Sequence, residues 1–190
     1  MINVAIFASG SGSNAENITA YFKESKQVNI SLFMTNKAAA FVVERAKKLG
    51  VAYIIFNKTD FYQTDNVLNI LKDNKVDFVV LAGFLWLVPA NLIEAYPNKV
   101  INIHPALLPA YGGKGMFGDH VHRAVVENKE KETGITIHYV NAEYDEGGII
   151  FQAKCAIEPT DTPEIVAQKV HKLEYTHYPQ VIKRLLVGLD

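Results

Sequence analysis

The sequence contains a single cysteine, no run of basic residues and no hydrophobic stretch long enough to cross a membrane. Cys155 has no second cysteine with which to form an internal disulfide, which favours a reducing compartment. The longest apolar run, residues 78–90, is interrupted by Gly83 and Pro89 and is too short to span a bilayer. A net charge of −1 disfavours a nucleic acid or an anionic membrane as the main partner, because both require a basic face. We therefore expect a cytoplasmic protein whose partners are neither nucleic acid nor membrane.

The N-terminus lacks the basic segment that precedes the apolar core of a signal peptide, because a strand-like pattern begins at Ile2. The chain has 190 residues, of which 49% are hydrophobic and 21% charged, and this composition is ordinary for a globular protein. This length predicts that residues 1–190 form a single domain.

Apolar segments alternate with segments of helical periodicity through the first half of the chain. The apolar segments are continuous, which is typical of strands covered by helices on both faces. The alternation predicts an α/β fold with a doubly wound, mostly parallel sheet. The predicted strands are Ile2–Phe7, Val28–Met34, Ala52–Phe56, Val76–Leu81 and Val100–Ile103, and the predicted helices are Asn14–Ser25, Ala38–Leu49, Asp60–Asp73 and Pro89–Ala95.

The second half has a different organisation. Two strand-like segments, Thr133–Val140 and Gly148–Ile157, are separated by a connection too short for a crossover helix, so we expect an antiparallel pair. A C-terminal helix is predicted to begin at Thr162–Glu164, with a threonine cap and a proline in its first turn. We expect Pro179 to kink or restart this helix.

Two polar residues, Asn102 and His104, occur in the otherwise apolar strand that ends before Pro105. Side chains two residues apart in a strand point to the same face, so these two are predicted to lie side by side. An amide that donates to an oxyanion, beside an imidazole that titrates near neutral pH, suits acyl chemistry.

A glycine- and serine-rich loop, residues 8–15, follows the first predicted strand and precedes a helix. The second strand ends in Met34–Lys37, which contains no acid to bind the ribose of a dinucleotide. We therefore predict that the backbone of Gly12, Ser13 and Asn14 holds a single phosphate. The alternative is an ordinary strand-to-helix turn in which Asn14 is the N-cap.

The loop between the two late strands carries three acids, Glu143, Asp145 and Glu146. If the strand pair extends the sheet, this loop can fold over the edge where Asn102 and His104 lie. A carboxylate there would orient the imidazole and raise its pKa above about 6.5. The spacing alone does not choose among the three acids.

The other histidines do not predict a metal site. His120 and His122 are separated by one residue in a predicted helix, Asp119–Glu127, and therefore do not share a face. His138 follows Ile135 and Ile137 in a strand pattern, and it is either a core residue or a residue that supports the site from behind. We infer that no metal is bound.

Taken together, several motifs are far more specific than any one of them. Over essentially its whole length, the chain resembles the glycinamide ribonucleotide formyltransferase family of purine biosynthesis, whose members use 10-formyltetrahydrofolate and have a Rossmann-like fold. The motifs that carry the resemblance are Ser9–Asn14, Leu81–Phe84, Asn102–Pro109, His120 with His122, Asp145–Ile150 and Glu174–Pro179.

The resemblance implies roles for individual residues and selects Asp145 among the three acids. It implies a catalytic trio in which Asn102 donates to the oxyanion of the formyl group and protonated His104, supported by Asp145, stabilises its charge. The implied ribonucleotide-binding residues are Gly12, Ser13, Asn14, His171, Lys172, Leu173 and Glu174. The implied folate-binding residues are Leu85, Trp86, Leu87, Val88, Asn102, Asn141, Ala142, Glu143, Tyr144 and Asp145.

The sequence departs from the family pattern at three places. The glycine-rich loop Gly112–Gly118 is longer than we expect in the family, and Trp86 stands where a basic residue is common. The segment Thr59–Thr64 lacks the basic residue that often meets the glutamate tail of folate.

Other functions remain open at this point. Another enzyme that uses 10-formyltetrahydrofolate, such as methionyl-tRNA formyltransferase or the deformylase, shares the trio but is expected to carry an additional domain. A non-catalytic nucleotide- or folate-binding module would not need the trio. An NAD-linked oxidoreductase is disfavoured by the missing acid after the second strand. We expect small-molecule substrates and a monomer or homodimer.

Overall fold

A computed structural model describes residues 1–188, in which seven strands form one sheet with helices on both faces. The strands are β1 (Ile2–Phe7), β2 (Val28–Thr35), β3 (Ala52–Ile55), β4 (Phe78–Leu81), β5 (Val100–His104), β6 (Glu132–Tyr139) and β7 (Ile149–Ala156). The helices are α1 (Ser13–Phe22), α2 (Val42–Leu49), α3 (Lys58–Tyr62), α4 (Asn66–Asp73), α5 (Ala90–Ala95), α6 (Asp119–Glu127) and α7 (Pro163–Val187).

The strand order is β3-β2-β1-β4-β5-β6-β7. Strands β1 to β5 pair in parallel, whereas β6 pairs antiparallel with both β5 and β7. The predicted fold class, a mostly parallel doubly wound sheet with a late antiparallel pair, is therefore confirmed. The chain winds outward in one direction from β1 and in the other from β4. A crevice therefore opens where the connections that leave the carboxyl ends of these two strands run in opposite directions.

The sheet is covered by apolar side chains on both faces, as its continuously apolar strands predict. One cluster joins the sheet to α1, α2 and α7, with Ile18, Ala46 and Tyr178 among its buried members. The other cluster joins the opposite face to α3, α4 and α5 through residues that include Phe61 and Leu71. The crevice therefore opens at the edge of a sheet whose two faces are both packed.

Of the two predicted effects of Pro179, the restart is wrong, because α7 continues through Pro179 to Val187 as one helix. Proline has no N–H to donate, so the carbonyl of Tyr175, four residues earlier, loses its helical partner. Asn17 of α1 donates its Nδ2 to that carbonyl at 2.9 Å. The packing of α1 against α7 thus satisfies the group that the proline leaves open.

The single helix predicted at Asp60–Asp73 is wrong, because the structure divides it into α3 and α4. Asn57 caps α3 in a capping box with Asp60. The Thr64 hydroxyl then donates to the Asp60 carbonyl and accepts from the Asn66 N–H. These side chains compete for the backbone groups that a continuous helix needs. No helix within residues 1–188 is long and apolar enough to cross a membrane.

Candidate active site

A cleft of about 620 Å³ opens at the carboxyl ends of β1, β4 and β5, where the direction of the sheet's connections changes. Loops that follow β1 and β4 form two of its walls. The end of β5, the connection to α6, the β6–β7 loop and one side of α7 complete the enclosure. The cleft therefore gathers segments that are distant in sequence at one edge of the sheet.

The loop between β1 and α1 forms one end of the cleft. Gly12 is the N-cap of α1 and has a φ of 70°, in the left-handed region that favours glycine. A Cβ at Gly12 would lie 2.5 Å from the Val42 side chain, so the close packing also requires glycine. The alternative role of Asn14 as N-cap is wrong, because its Nδ2 instead donates to Glu174 Oε2 at 2.9 Å. With no capping side chain, the first-turn N–H groups of α1 have the arrangement that binds anions.

Glu174 of α7 is 5% exposed and connects two other residues at this end of the cleft. Besides the bond from Asn14, its Oε2 lies 2.8 Å from His171 Nδ1. The hydrogen bond to Glu174 raises the pKa of His171, although partial burial opposes the rise. His171 and Glu174 are three residues apart and thus share one face of the helix.

Two buried polar atoms at the same end have no partner among the described residues: Asn14 Oδ1 and His122 Nδ1. His122 lies on the buried side of α6, and its ring packs edge-on against His171 with centroids 6.5 Å apart. Burial and the neighbouring His171 lower the pKa of His122. An imidazole nitrogen and an amide oxygen that lack protein partners are available for hydrogen bonds with a polar ligand.

The other end of the cleft is built by cross-strand pairing of β5 with β6. Asn102 lies directly opposite His138 in the antiparallel register. The Asn102 Nδ2 is 3.2 Å from His138 Nε2 and donates to Asp145 Oδ1 at 3.5 Å. His138 Nδ1 lies 2.8 Å from the Tyr139 carbonyl, and its Nε2 lies 3.6 Å from Asp145 Oδ1. His138 thus supports the site from behind and is not simply a core residue.

His104 is buried at the end of β5, where it lines the cleft with Asn102, as strand alternation predicts. Its Nδ1 lies 3.5 Å from Asp145 Oδ2, and its Nε2 lies 2.7 Å from the Tyr111 carbonyl oxygen. The expectation of a raised pKa is wrong. Burial lowers the pKa of His104, and Asp145 and the Tyr111 carbonyl offset only part of that effect. The resting imidazole is therefore neutral at pH 7.

Asp145 is the only one of the three loop acids that contacts this imidazole among the described residues. It has a φ of 59°, and the Gly113 N–H donates to its Oδ2 at 3.0 Å. Burial raises the pKa of Asp145, but the hydrogen bonds from His138 and the Gly113 N–H and the neighbouring His104 imidazole outweigh burial and lower it overall. The carboxylate is thus ionised and held between His104 and Asn102.

An aromatic cluster supports the wall of the cleft that follows β4. Phe56, Phe61 and Phe84 pack against Trp86 with ring centroids 5.9–6.3 Å apart. The Tyr62 hydroxyl donates to the Leu87 carbonyl at 3.0 Å, which ties α3 to this wall. The wall therefore presents a firm apolar surface to the cleft, as a planar heterocycle requires.

Most of the residues that the resemblance implicates line the cleft, but four do not. Lys172 and Leu173 lie off the helical face that carries His171 and Glu174, and Asn141 and Ala142 lie outside the cleft lining of the described chain. Asn141 instead accepts a hydrogen bond from the Glu143 N–H and shapes the loop. The implicated residues that line the cleft are Gly12, Ser13, Asn14, Leu85, Trp86, Leu87, Val88, Asn102, His104, Glu143, Tyr144, Asp145, His171 and Glu174.

Sequence reasoning missed two residues of the site, His122 and Tyr111. His122 was set aside because it does not share a face with His120, yet its position beside Val121 and one turn before Val125 marks the buried side of α6. Tyr111 acts through its carbonyl, for which the sequence offers no signal. Within residues 1–188, no group of three or more His, Cys, Asp or Glu is placed to hold a metal ion.

The cleft brings together an amide, an imidazole and a carboxylate at the switch point of an α/β sheet. These are groups that an acyl-transfer enzyme needs. Residues 2–182 match the family described as formyl transferase. The chain therefore belongs to the formyl transferase family.

Relatives of known name are similar along almost the whole chain. A phosphoribosylglycinamide formyltransferase of Bacillus subtilis is 39% identical over 100% of this chain and 97% of its own length. A chloroplastic protein of that name from Arabidopsis thaliana is 40% identical over 94% of this chain. The match spans 63% of the Arabidopsis protein, less than two thirds of its length.

Solved structures agree with this assignment. The crystal structure of phosphoribosylglycinamide formyltransferase from Bacillus halodurans superimposes with a TM-score of 0.87, at 37% identity, covering 99% of this chain and 97% of that one. The Anaplasma phagocytophilum protein of the same name gives a TM-score of 0.89 at 30% identity, covering 97% of this chain and 86% of that one. The similarity thus includes the complete sheet and the cleft at its edge.

Proposed function

We propose that this protein transfers the formyl group of 10-formyltetrahydrofolate to the amine of glycinamide ribonucleotide. The products are formylglycinamide ribonucleotide and tetrahydrofolate, a step of de novo purine (IMP) biosynthesis. The observation that carries the proposal is the convergence of Asn102, His104 and Asp145 at one end of a cleft whose other end has an uncapped helix N-terminus. One cleft thus offers an anion site and a carbonyl-activating site together.

The ribonucleotide is assigned to the end built from α1 and α7. The phosphate is bound by the backbone of Gly12, Ser13 and Asn14, where the helix N-terminus favours an anion. The buried Glu174 is positioned for a hydroxyl or amine, both of which donate to a carboxylate. Its partner His171 and the free Nδ1 of His122 add a second polar wall.

The folate is assigned to the wall that follows β4. Leu85, Trp86, Leu87 and Val88 line the cleft over the aromatic cluster, opposite Glu143 and Tyr144 of the β6–β7 loop. An apolar surface with nearby backbone groups fits a pterin ring, which is flat and carries donors and acceptors on its edge. The formyl group is thereby directed towards Asn102 and His104.

The transfer needs one proton to move from the attacking nitrogen to the leaving nitrogen. The neutral amine attacks the formyl carbon, a C–N bond forms, and the carbonyl oxygen becomes an oxyanion. Neutral His104 takes the proton that the amine nitrogen loses, and it returns that proton to folate N10 as the C–N10 bond breaks. Because burial lowers the pKa of His104, the imidazole is available as a base before the attack.

Asn102 and Asp145 stabilise the charges that develop during this transfer. The contact of Asn102 Nδ2 with Asp145 is longer than its contact with His138, so the bond to Asp145 is the one that an oxyanion replaces. Asp145 then faces a protonated His104, and the pair of opposite charges is favourable in a buried site. A lost oxyanion donor costs a typical enzyme about 10²–10³ in rate.

The test is an assay of formyl transfer from 10-formyltetrahydrofolate to glycinamide ribonucleotide, with initiator methionyl-tRNA as an alternative acceptor. We expect transfer to the ribonucleotide alone. Formylation of the tRNA, or release of formate without an acceptor, would assign the chain to another enzyme that uses the same donor. Binding of both substrates without transfer would make it a non-catalytic module.

The proposal includes three expectations about the protein as a whole. Residues 1–190 act as a single formyltransferase domain, the enzyme is cytoplasmic, and it is a monomer or homodimer. Gel filtration of the full chain with light scattering tests the last of these.

A further inference from the structure

The contact at His104 Nε2 determines which ring nitrogen can act as a base. Nε2 lies 2.7 Å from the backbone carbonyl oxygen of Tyr111. A carbonyl oxygen only accepts, so the hydrogen of the neutral ring is on Nε2. Nδ1 then carries the lone pair, and it is this atom that lies 3.5 Å from Asp145 Oδ2. A proton taken up at Nδ1 is therefore stabilised by the carboxylate.

Tyr111 is held in an unfavourable backbone conformation at this contact. Its φ of 57° lies in the left-handed region, which residues with a side chain rarely adopt. The hydroxyl at the other end of the residue donates to Glu130 Oε1 at 2.7 Å and accepts from Asn128 Nδ2 at 2.8 Å. Both partners lie in the turn directly after α6, so the hydroxyl ties the Tyr111 loop to the end of that helix.

The same loop also holds the acid. Two residues after Tyr111, the Gly113 N–H donates to Asp145 Oδ2 at 3.0 Å. The loop thus contacts both His104 and Asp145. The hydrogen bonds of the Tyr111 hydroxyl hold in place the contact between the Tyr111 carbonyl and His104. Neither the Tyr111 ring nor Glu130 lines the cleft among the residues that the structure describes.

We propose that Tyr111 is a positioning residue for formyl transfer: its carbonyl selects the His104 tautomer with the base at Nδ1, and its hydroxyl, anchored by Glu130 and Asn128, keeps that carbonyl in place. This inference rests on the proposed function for its kinetic consequence. The tautomer itself is a property of the unliganded protein and does not depend on the reaction. Tyr111 does not line the cleft, so the role assigned to it is exerted through His104.

The first test is ¹⁵N NMR of the histidines in the unliganded protein, with His104 assigned by comparison with His104→Ala. We expect the wild type to show the Nε2–H tautomer of His104 and Tyr111→Phe to show a mixture of tautomers. A wild-type His104 in the Nδ1–H tautomer would overturn the proposal. Because no substrate is needed, this result stands even if the proposed reaction is not the one catalysed.

The second test is steady-state kinetics of Tyr111→Phe across pH. Tyr111→Phe removes both hydrogen bonds of the hydroxyl, each of about 0.5–1.5 kcal/mol, which predicts a fall in kcat of up to about 100-fold with KM unchanged. We also expect the limb of the pH profile that belongs to His104 to move. A fall in kcat without any change in the ¹⁵N shifts of His104 or in the pH profile would indicate a purely structural role and would overturn the proposal. A Tyr111→Phe variant with the wild-type kcat would also overturn it.

Variants of the anchor and a matched control complete the design. Glu130→Gln keeps an oxygen that accepts a hydrogen bond from the Tyr111 hydroxyl, so it should retain the wild-type kcat and the wild-type tautomer of His104. Glu130→Ala removes that oxygen and should resemble Tyr111→Phe. Tyr96→Phe removes a hydroxyl bonded to the Val76 carbonyl at 3.2 Å, away from the cleft, and should change neither. If Tyr96→Phe lowers kcat as much as Tyr111→Phe, the effect is general loss of packing and the proposal fails.

Discussion

The two ends of the cleft differ in how far the protein satisfies its own polar groups. At the transfer end, Asn102, His104 and Asp145 all have protein partners, so their orientations are set before a substrate arrives. At the other end, to which we assign the ribonucleotide, Asn14 Oδ1 and His122 Nδ1 are buried without partners among the described residues. The first arrangement is suited to catalysis, which depends on fixed groups, and the second to binding.

His104 at one end and His171 at the other have pKa values shifted in opposite directions, whereas the pKa of His122, beside His171, is lowered by burial as that of His104 is. Burial lowers the pKa of His104, whereas the bond to Glu174 raises the pKa of His171. A neutral base at one end and a more readily protonated imidazole at the other match the chemistry assigned to each: proton uptake at the first and attraction of an anionic substrate at the second. The pKa values of the two histidines differ because His171 is hydrogen-bonded to a carboxylate at 2.8 Å, whereas His104 is more deeply buried.

The largest effect is expected from substitutions at the transfer end. His104→Ala should lower kcat by about 10²–10⁴ and Asn102→Ala by about 10²–10³, because the first removes the proton carrier and the second the oxyanion donor. Thermal unfolding of each variant checks that the fold is kept, and binding of the ribonucleotide by calorimetry should be nearly unchanged. Full activity of a purified, folded His104→Ala would contradict the assignment of the site.

At the ribonucleotide end, Glu174→Gln should act on binding. Its Oε2 accepts from both Asn14 and His171, and an amide nitrogen there could accept from neither. Hydrogen bonds to a charged group contribute about 1.5–3 kcal/mol, so we expect KM for the ribonucleotide to rise about 10- to 100-fold. The matched control is Glu132→Gln, which changes a β6 residue that forms an exposed ion pair with Lys154 of β7, and it should leave KM unchanged. An effect of Glu174→Gln on kcat alone would remove the distinction between the two ends.

The opposite pKa shifts predict opposite pH dependence. In an NMR titration, His171 should titrate above its unfolded value and His104 below it. His171 then contributes to the free energy of unfolding below the unfolded pKa, and this contribution is lost as the pH rises through the folded pKa. His104 contributes above the unfolded pKa, and its contribution is lost as the pH falls through the folded pKa.

Glu174→Gln provides the internal control for this titration. It should lower the pKa of His171, because the hydrogen bond that raises it is removed, while the lowered pKa of His104, caused by burial, keeps its direction. If both histidines titrate on the same side of their unfolded values, the comparison is wrong.

The sequence predicted the parallel sheet and the shared face of Asn102 and His104, because both follow from periodicities that the backbone imposes. It did not choose Asp145 by spacing, since that choice depends on a loop residue with a φ of 59°. The contact of Asn102 with His138 depends on the register of β5 against β6, which alternation alone leaves open. The predicted direction of the His104 pKa shift was wrong, because the prediction considered the charge of a nearby carboxylate but not burial. Burial is a property of the packed fold and is not visible in the sequence.

The smallest effect is expected at Lys172, where the resemblance and the structure differ. The resemblance places Lys172 among the ribonucleotide-binding residues, but its side chain lies exposed off the face of α7 that lines the cleft. We expect Lys172→Ala to leave KM for the ribonucleotide within about twofold of the wild type, since an exposed charge outside the site contributes about 0–0.5 kcal/mol. His171→Ala, one residue earlier on the lined face, should raise KM clearly more, because it removes the partner of Glu174. Equal effects of the two substitutions in the same kinetic assay would mean that the helical face does not determine binding at this end of the cleft.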